Sequence, residues 1–82
     1  MLRARVIVML KAGVLDPQGR AVQGALHSMG YDEVRDVRVG KEILLTLGDV
    51  PEARARERVK EMCEKLLANP VIEEFTFTIE RG

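Results

Sequence analysis

The sequence predicts an α+β fold in which an antiparallel sheet carries two helices on one face. Three observations predict it. Two segments place apolar residues at helical spacing: Val22, Ala25, Leu26 and Met29, then Ala55, Val59, Met62, Cys63, Leu66 and Leu67. Shorter segments between and around them alternate with the two-residue period of a strand. Each helical segment opens beside a proline, Pro17 or Pro51, where the missing N–H costs nothing. The 82 residues make room for a single domain, residues 1–82.

The first strand runs from Arg3 to Lys11. Val6, Val8 and Leu10 point one way, and Arg5, Ile7 and Met9 the other. Apolar residues on both sides suggest an interior strand. A loop through Gly13 leads to Asp16, whose carboxylate suits an N-cap, with Pro17 at the first helical position. The helix should end near Met29, with Gly30 as the left-handed residue just beyond. A second strand is expected over Val34–Val39, a tight turn at Gly40-Lys41, and a third strand over Ile43–Leu47. Gly48-Asp49-Val50-Pro51 breaks the pattern and opens the second helix. On its exposed side Glu52–Arg56 and Glu61–Lys65 form i, i+4 pairs of favourable order. Asn69-Pro70 stops it, because a residue before proline avoids the α region. Val71–Glu80 is the last strand.

The order β-α-β-β-α-β fits a ferredoxin-like two-layer sandwich with both helices on one face. The inner face then holds Val6, Val8, Leu10, Ile43, Leu45, Leu47, Phe75 and Phe77. The open face holds Ile7, Met9, Leu44, Thr46, Thr76 and Thr78. A chain of this size buries only about 60% of its unfolded surface, so its own core is marginal. The open face is more apolar than a wet face needs to be, and self-association through it is the expectation.

Lys and Arg number 13, as do Asp and Glu, and aromatic residues are 4%. This balance argues against a nucleic-acid or polybasic membrane partner. One cysteine excludes an intrachain disulfide, and no apolar run approaches a membrane span or a signal segment. A cytoplasmic protein is expected.

Candidate chemistry is sparse. Cys63 lies on the apolar stripe between Glu61 and Glu64, which suits a buried hydrophobe rather than a thiolate. His27 has no second histidine or cysteine at metal spacing. Glu73 and Glu74 are consecutive in a strand and face opposite ways. Asp16, next to Pro17, reads as a cap rather than a general base. Lys11, Lys41 and the helix start at Pro17-Gln18-Gly19 offer an anion contact of a kind shared by many helix starts. Walker, dinucleotide and nucleophile–base motifs are absent from the sequence. The expectation is no catalytic residue and no metal ligand.

Four segments carry a resemblance: Lys11-Ala-Gly-Val-Leu-Asp-Pro-Gln-Gly19, Gly30-Tyr31, Val37-Arg-Val-Gly-Lys41, and Cys63-Glu-Lys-Leu-Leu-Ala-Asn-Pro-Val-Ile-Glu73. In order, spacing and length the chain resembles the PurS family. These are the small subunits of phosphoribosylformylglycinamidine synthase (formylglycinamide ribonucleotide amidotransferase) in bacterial and archaeal purine synthesis. The resemblance implies a subunit of a glutamine-dependent C–N ligase complex with no active site of its own. ATP and Mg would be used by the complex, and this subunit would bind no cofactor. It implies a homodimer or higher homo-oligomer that bridges a glutaminase and a synthetase subunit and helps seal a path for ammonia. Partner contacts are expected at Lys11, Gly13, Asp16 and Gly19, at Arg38, Gly40 and Lys41, and at Asn69 and Pro70. The rival reading is a small ferredoxin-like domain that senses a ligand.

Overall fold

The computed structural model describes residues 1–81. Strand β1 spans Leu2–Leu10, helix α1 Pro17–Ser28, strand β2 Lys41–Leu47, helix α2 Glu52–Met62 and strand β3 Glu73–Arg81. The three strands form one antiparallel sheet in the order β2-β1-β3. The interior position expected for β1 is therefore met, and its alternation has the expected sense. Leu2, Ala4, Val6 and Val8 are buried, while Arg3 and Arg5 are exposed.

Register sorts the two faces. Val6 lies between Ile43 and Phe77, and Ala4 between Leu45 and Ile79, so these residues share the face that α2 covers. Ile7 lies between Glu42 and Thr76, and Arg5 between Leu44 and Thr78, on the opposite face. The core under α2 comprises Ala4, Val6, Val8, Val59, Cys63 and Ala68. Helix α2 seats Ala55, Val59 and Cys63 on the sheet at four-residue spacing. The winding then widens into a π-helical turn over Cys63–Leu67, with Ala68 N–H donating to the Cys63 carbonyl at 3.0 Å. The extra residue rotates Leu66 out to 81% exposure and brings Leu67 against the core, which corrects the expectation that Leu66 is buried. Of the two expected helix-surface pairs, Glu61–Lys65 closes at 3.1 Å. Glu52–Arg56 does not form an ion pair among the described residues.

The α+β architecture stands, with two departures inside it. Val34–Val39, expected as a strand, joins no ladder, and Gly40-Lys41 is not a hairpin turn. A two-residue hairpin needs positive φ, and among the described residues only Gly13 and Gly30 have it. Gly40 lies so close to the Val8 carbonyl and the Met9 sulfur that a Cβ there would collide with both. The chain therefore runs on past β1 instead of folding back.

The second departure follows from the first. Helix α1 starts and stops as the sequence predicts, with Asp16 as cap, Pro17 in the first turn and Gly30 at φ +96° just beyond its end. Its apolar stripe, however, is not packed on the sheet. Val22 is 42% and Met29 69% exposed, Ala25 is exposed and Leu26 half-buried. Gln23 Nε2 donates to the Arg35 carbonyl at 3.1 Å, and His27 Nε2 lies 2.7 Å from the Val34 carbonyl. Together α1 and residues 31–39 form an arm, and the molecule measures 49 × 28 × 14 Å.

Candidate functional site

The candidate contact residues, scattered over sixty positions of sequence, meet at one corner beyond the C-terminal end of β1. Asp16 is its centre. One carboxylate oxygen accepts the Gly19 N–H at 2.8 Å, which caps α1. The other accepts the Val39 N–H at 2.9 Å, which ties the returning arm to the helix start. Asp16 is buried, and these two backbone donors, Val39 first and Gly19 second, hold its carboxyl below the ordinary range with Arg38 assisting. Gly19 is buried in the same contact, and a Cβ there would strike the Val37 carbonyl oxygen.

Arg38 crosses from the arm to β1. Its guanidinium donates to the Leu10 carbonyl and, at 3.3 Å, to the Lys11 carbonyl. Lys11 reaches the other way: its Nζ donates to the Pro70 carbonyl at 2.7 Å and its N–H to the Ile72 carbonyl at 2.8 Å. Asn69 orders the turn that presents Pro70. Its side-chain oxygen accepts the Val71 N–H at 3.1 Å, and its own N–H donates to Glu73 Oε1 at 2.7 Å. Gly13, at φ +87°, makes the bend between Lys11 and Asp16. Gly40 and Lys41 continue the arm alongside Val8 and Met9 into β2. All three expected segments are thus one surface, with an open groove of about 430 Å³ between the Gly13–Asp16 bend and Asp36–Arg38.

Sequence reasoning misses three participants. Glu73 fastens Asn69, and nothing local marks that pairing. Leu15 and Val71 stand 62% and 79% exposed and give the corner an apolar element. For Val71 the preceding Pro70 was the available signal, and a weak one; Leu15, between Val14 and Asp16, has none.

The open-face residues also fall where the alternation places them. Ile7 and Met9 are half-buried, and Leu44, Thr46, Thr76 and Thr78 are exposed. Arg5 sits centrally among them, 3.2 Å from Glu42 and 3.8 Å from Glu80. That bridge depends on register and is invisible in the sequence. Cys63 is buried against Glu64, and desolvation pushes its thiol pKa up, away from reactive thiolate. Among the described residues no group of three His, Cys, Asp or Glu could hold a metal ion. The arrangement at the corner offers hydrogen-bond donors and charge on tied-down loops, chemistry suited to holding another surface.

Comparison with known proteins agrees in sequence and in shape. A family model described as PurS, phosphoribosylformylglycinamidine (FGAM) synthase, matches residues 3–81. Phosphoribosylformylglycinamidine synthase subunit PurS of Bacillus subtilis is 55% identical over 80 residues, covering 98% of this chain and 94% of that one. A solved structure of B. subtilis PurS superposes with a TM-score of 0.89 at 54% identity, covering 99% of this chain and all of the other. A chain in a structure of PurLQS from Thermotoga maritima gives 0.85 at 33% identity, covering 98% and 99%. Matched almost from end to end, in residues and in backbone alike, this chain belongs to the PurS family.

Proposed function

We propose that this chain is the small, non-catalytic subunit of phosphoribosylformylglycinamidine synthase in purine biosynthesis. It bridges the glutaminase and synthetase subunits and helps close the route that ammonia takes between them. The complex uses ATP and glutamine, with Mg, to convert formylglycinamide ribonucleotide to formylglycinamidine ribonucleotide. The nucleotide chemistry belongs to the larger subunits. The family assignment favours this reading over a ligand sensor.

The observation that carries the reading is the joining of Lys11, Asp16, Arg38 and Pro70 into one corner within a full-length family match. A bridging subunit needs loops that keep their shape before the partner arrives, because ordering them on contact would weaken association. The physical need for a bridge is also plain. Ammonia released into water at neutral pH becomes ammonium, which has no lone pair for attack. Homo-oligomerisation is part of the same proposal, since two apolar surfaces stay uncovered, the open face and the stripe of α1. A cytoplasmic site of action suits the pathway. No helix of the described residues is long and apolar enough to cross a membrane.

Reconstitution tests the proposal. Synthetase and glutaminase are assayed with and without this chain, on glutamine and on ammonium chloride. Omission should abolish the glutamine-dependent rate and spare the ammonia-dependent one. A full glutamine rate without the chain would overturn it.

A further inference from the structure

We propose that the groove between the Gly13–Asp16 bend and Asp36–Arg38 receives an acidic segment of a partner subunit. A carboxylate of that segment is held between Arg20 and Arg38, with an apolar neighbour against Leu15. The inference rests on the bridging function proposed above and says what chemistry the bridge recognises at one of its contacts.

The groove offers more donors than acceptors. Arg20, near the start of α1, lines one side and Arg38, on the arm, the other. Arg20 takes part in no side-chain hydrogen bond or ion pair among the described residues. Arg38 spends Nη2 on the Leu10 and Lys11 carbonyls, which are neutral acceptors, so Nε, Nη1 and the whole positive charge are left over. Two carboxylates belong to the lining. Asp16 is buried, with one oxygen on the Gly19 N–H and the other on the Val39 N–H. That leaves Asp36 against two guanidiniums, and it forms no ion pair with either among the described residues. A chain with as many acidic as basic residues thus turns out an uncompensated cation at this point. The planar fork of a guanidinium is best satisfied by a carboxylate or a phosphate.

The walls decide between these acceptors. Val14 and Val37 are half-buried, and Leu15 is 62% exposed. A free anion gains nothing from them, whereas a polypeptide with apolar residues beside its Asp or Glu covers them. Arginine next to an exposed apolar side chain is the composition of an interface centre. The groove is also held open in advance. Gly13 sets the bend, Asp16 ties the arm to α1, and the bonds of Arg38 to β1 aim its guanidinium. Little ordering is left for the moment of contact, which favours affinity.

Arg20 allows a clean test, because its replacement breaks no bond. Arg20→Glu is compared with Arg54→Glu, the same change of charge on the exposed side of α2, outside the groove. The full chain is titrated into synthetase and glutaminase at about 50 mM and about 300 mM NaCl. The reading is the concentration that gives half of the maximal glutamine-dependent rate. Arg20→Glu should raise it about tenfold at the lower salt and less at the higher, and Arg54→Glu by less than about twofold. Light scattering should give Arg20→Glu the mass of the native chain. Equal shifts from both variants, or none from Arg20→Glu, overturn the groove and leave the bridging function standing. A changed mass overturns it too, by putting a second copy of the chain in the groove. A full glutamine rate with no chain added overturns the bridging function itself.

Discussion

The Asp16 carboxylate accepts the Val39 N–H, 23 residues away, at 2.9 Å while its other oxygen caps α1. Both bonds favour the ionised form, so the folded-state pKa lies below the unfolded one. A depressed carboxylate pKa contributes stability that is complete above the unfolded value and is lost as pH falls through the folded value. Urea unfolding midpoints from pH 7 down to pH 2 should therefore decline in the native chain on the acid side. Asp16→Asn should start lower and decline less. Parallel profiles would show that Asp16 carries no such linkage.

Gly19 and Gly24 lie on the same helix and should respond oppositely to alanine. A Cβ at Gly19 collides with the Val37 carbonyl, a backbone atom that cannot swing aside, and Gly19→Ala should cost about 1–3 kcal/mol. Gly24 has nothing within 4 Å, and Gly24→Ala should gain about 0.5–1 kcal/mol through helix propensity. Denaturant melts of the two variants decide it.

The π-helical turn makes neighbouring leucines unequal. Leu66→Ala should change stability by less than about 0.5 kcal/mol, as expected of a surface site. Leu67→Ala should cost about 2 kcal/mol, the low end for a leucine packed against a core. An α-helical end would reverse that order.

Cys63 is fully buried and its thiol is shifted up by desolvation. Iodoacetamide at pH 8 should leave the folded chain unmodified and label it at the rate of urea-induced unfolding. Rapid labelling without denaturant would contradict the packing of α2 on β1.

At the corner, Lys11→Met keeps the side-chain length and removes the donor to Pro70. Loss of that internal bond should lower the stability of the chain by about 1 kcal/mol. Urea unfolding of the variant measures it. Arg38→Lys should do the same, because an ammonium lacks the planar fork that spans the Leu10 and Lys11 carbonyls.

What could be read from the sequence was local. Asp16, Pro17 and Gly30 mark both ends of α1 by chemistry within a few residues, and alternation along β1 sorts the faces correctly. What could not be read depends on distant partners. Val34–Val39 has a strand's pattern but joins no ladder, because the straight passage through Gly40, pressed against Val8 and Met9, does not fold it back onto the sheet. Leu66 and Leu67 are indistinguishable until the helix widens by one residue. The candidate corner residues were legible as caps and turns, whereas the bonds joining Lys11 to Pro70 and Arg38 to Leu10 require three-dimensional approach.

The widened turn at Cys63–Leu67 has a consequence for the length that α2 tolerates. Its ends, Cys63 and Ala68, are both anchored in the core, while Glu64, Lys65 and Leu66 between them face solvent. Removing one of those three would restore ordinary α winding without moving either anchor. The bulge is therefore the place in α2 where a one-residue deletion is best accommodated with the sheet unaltered.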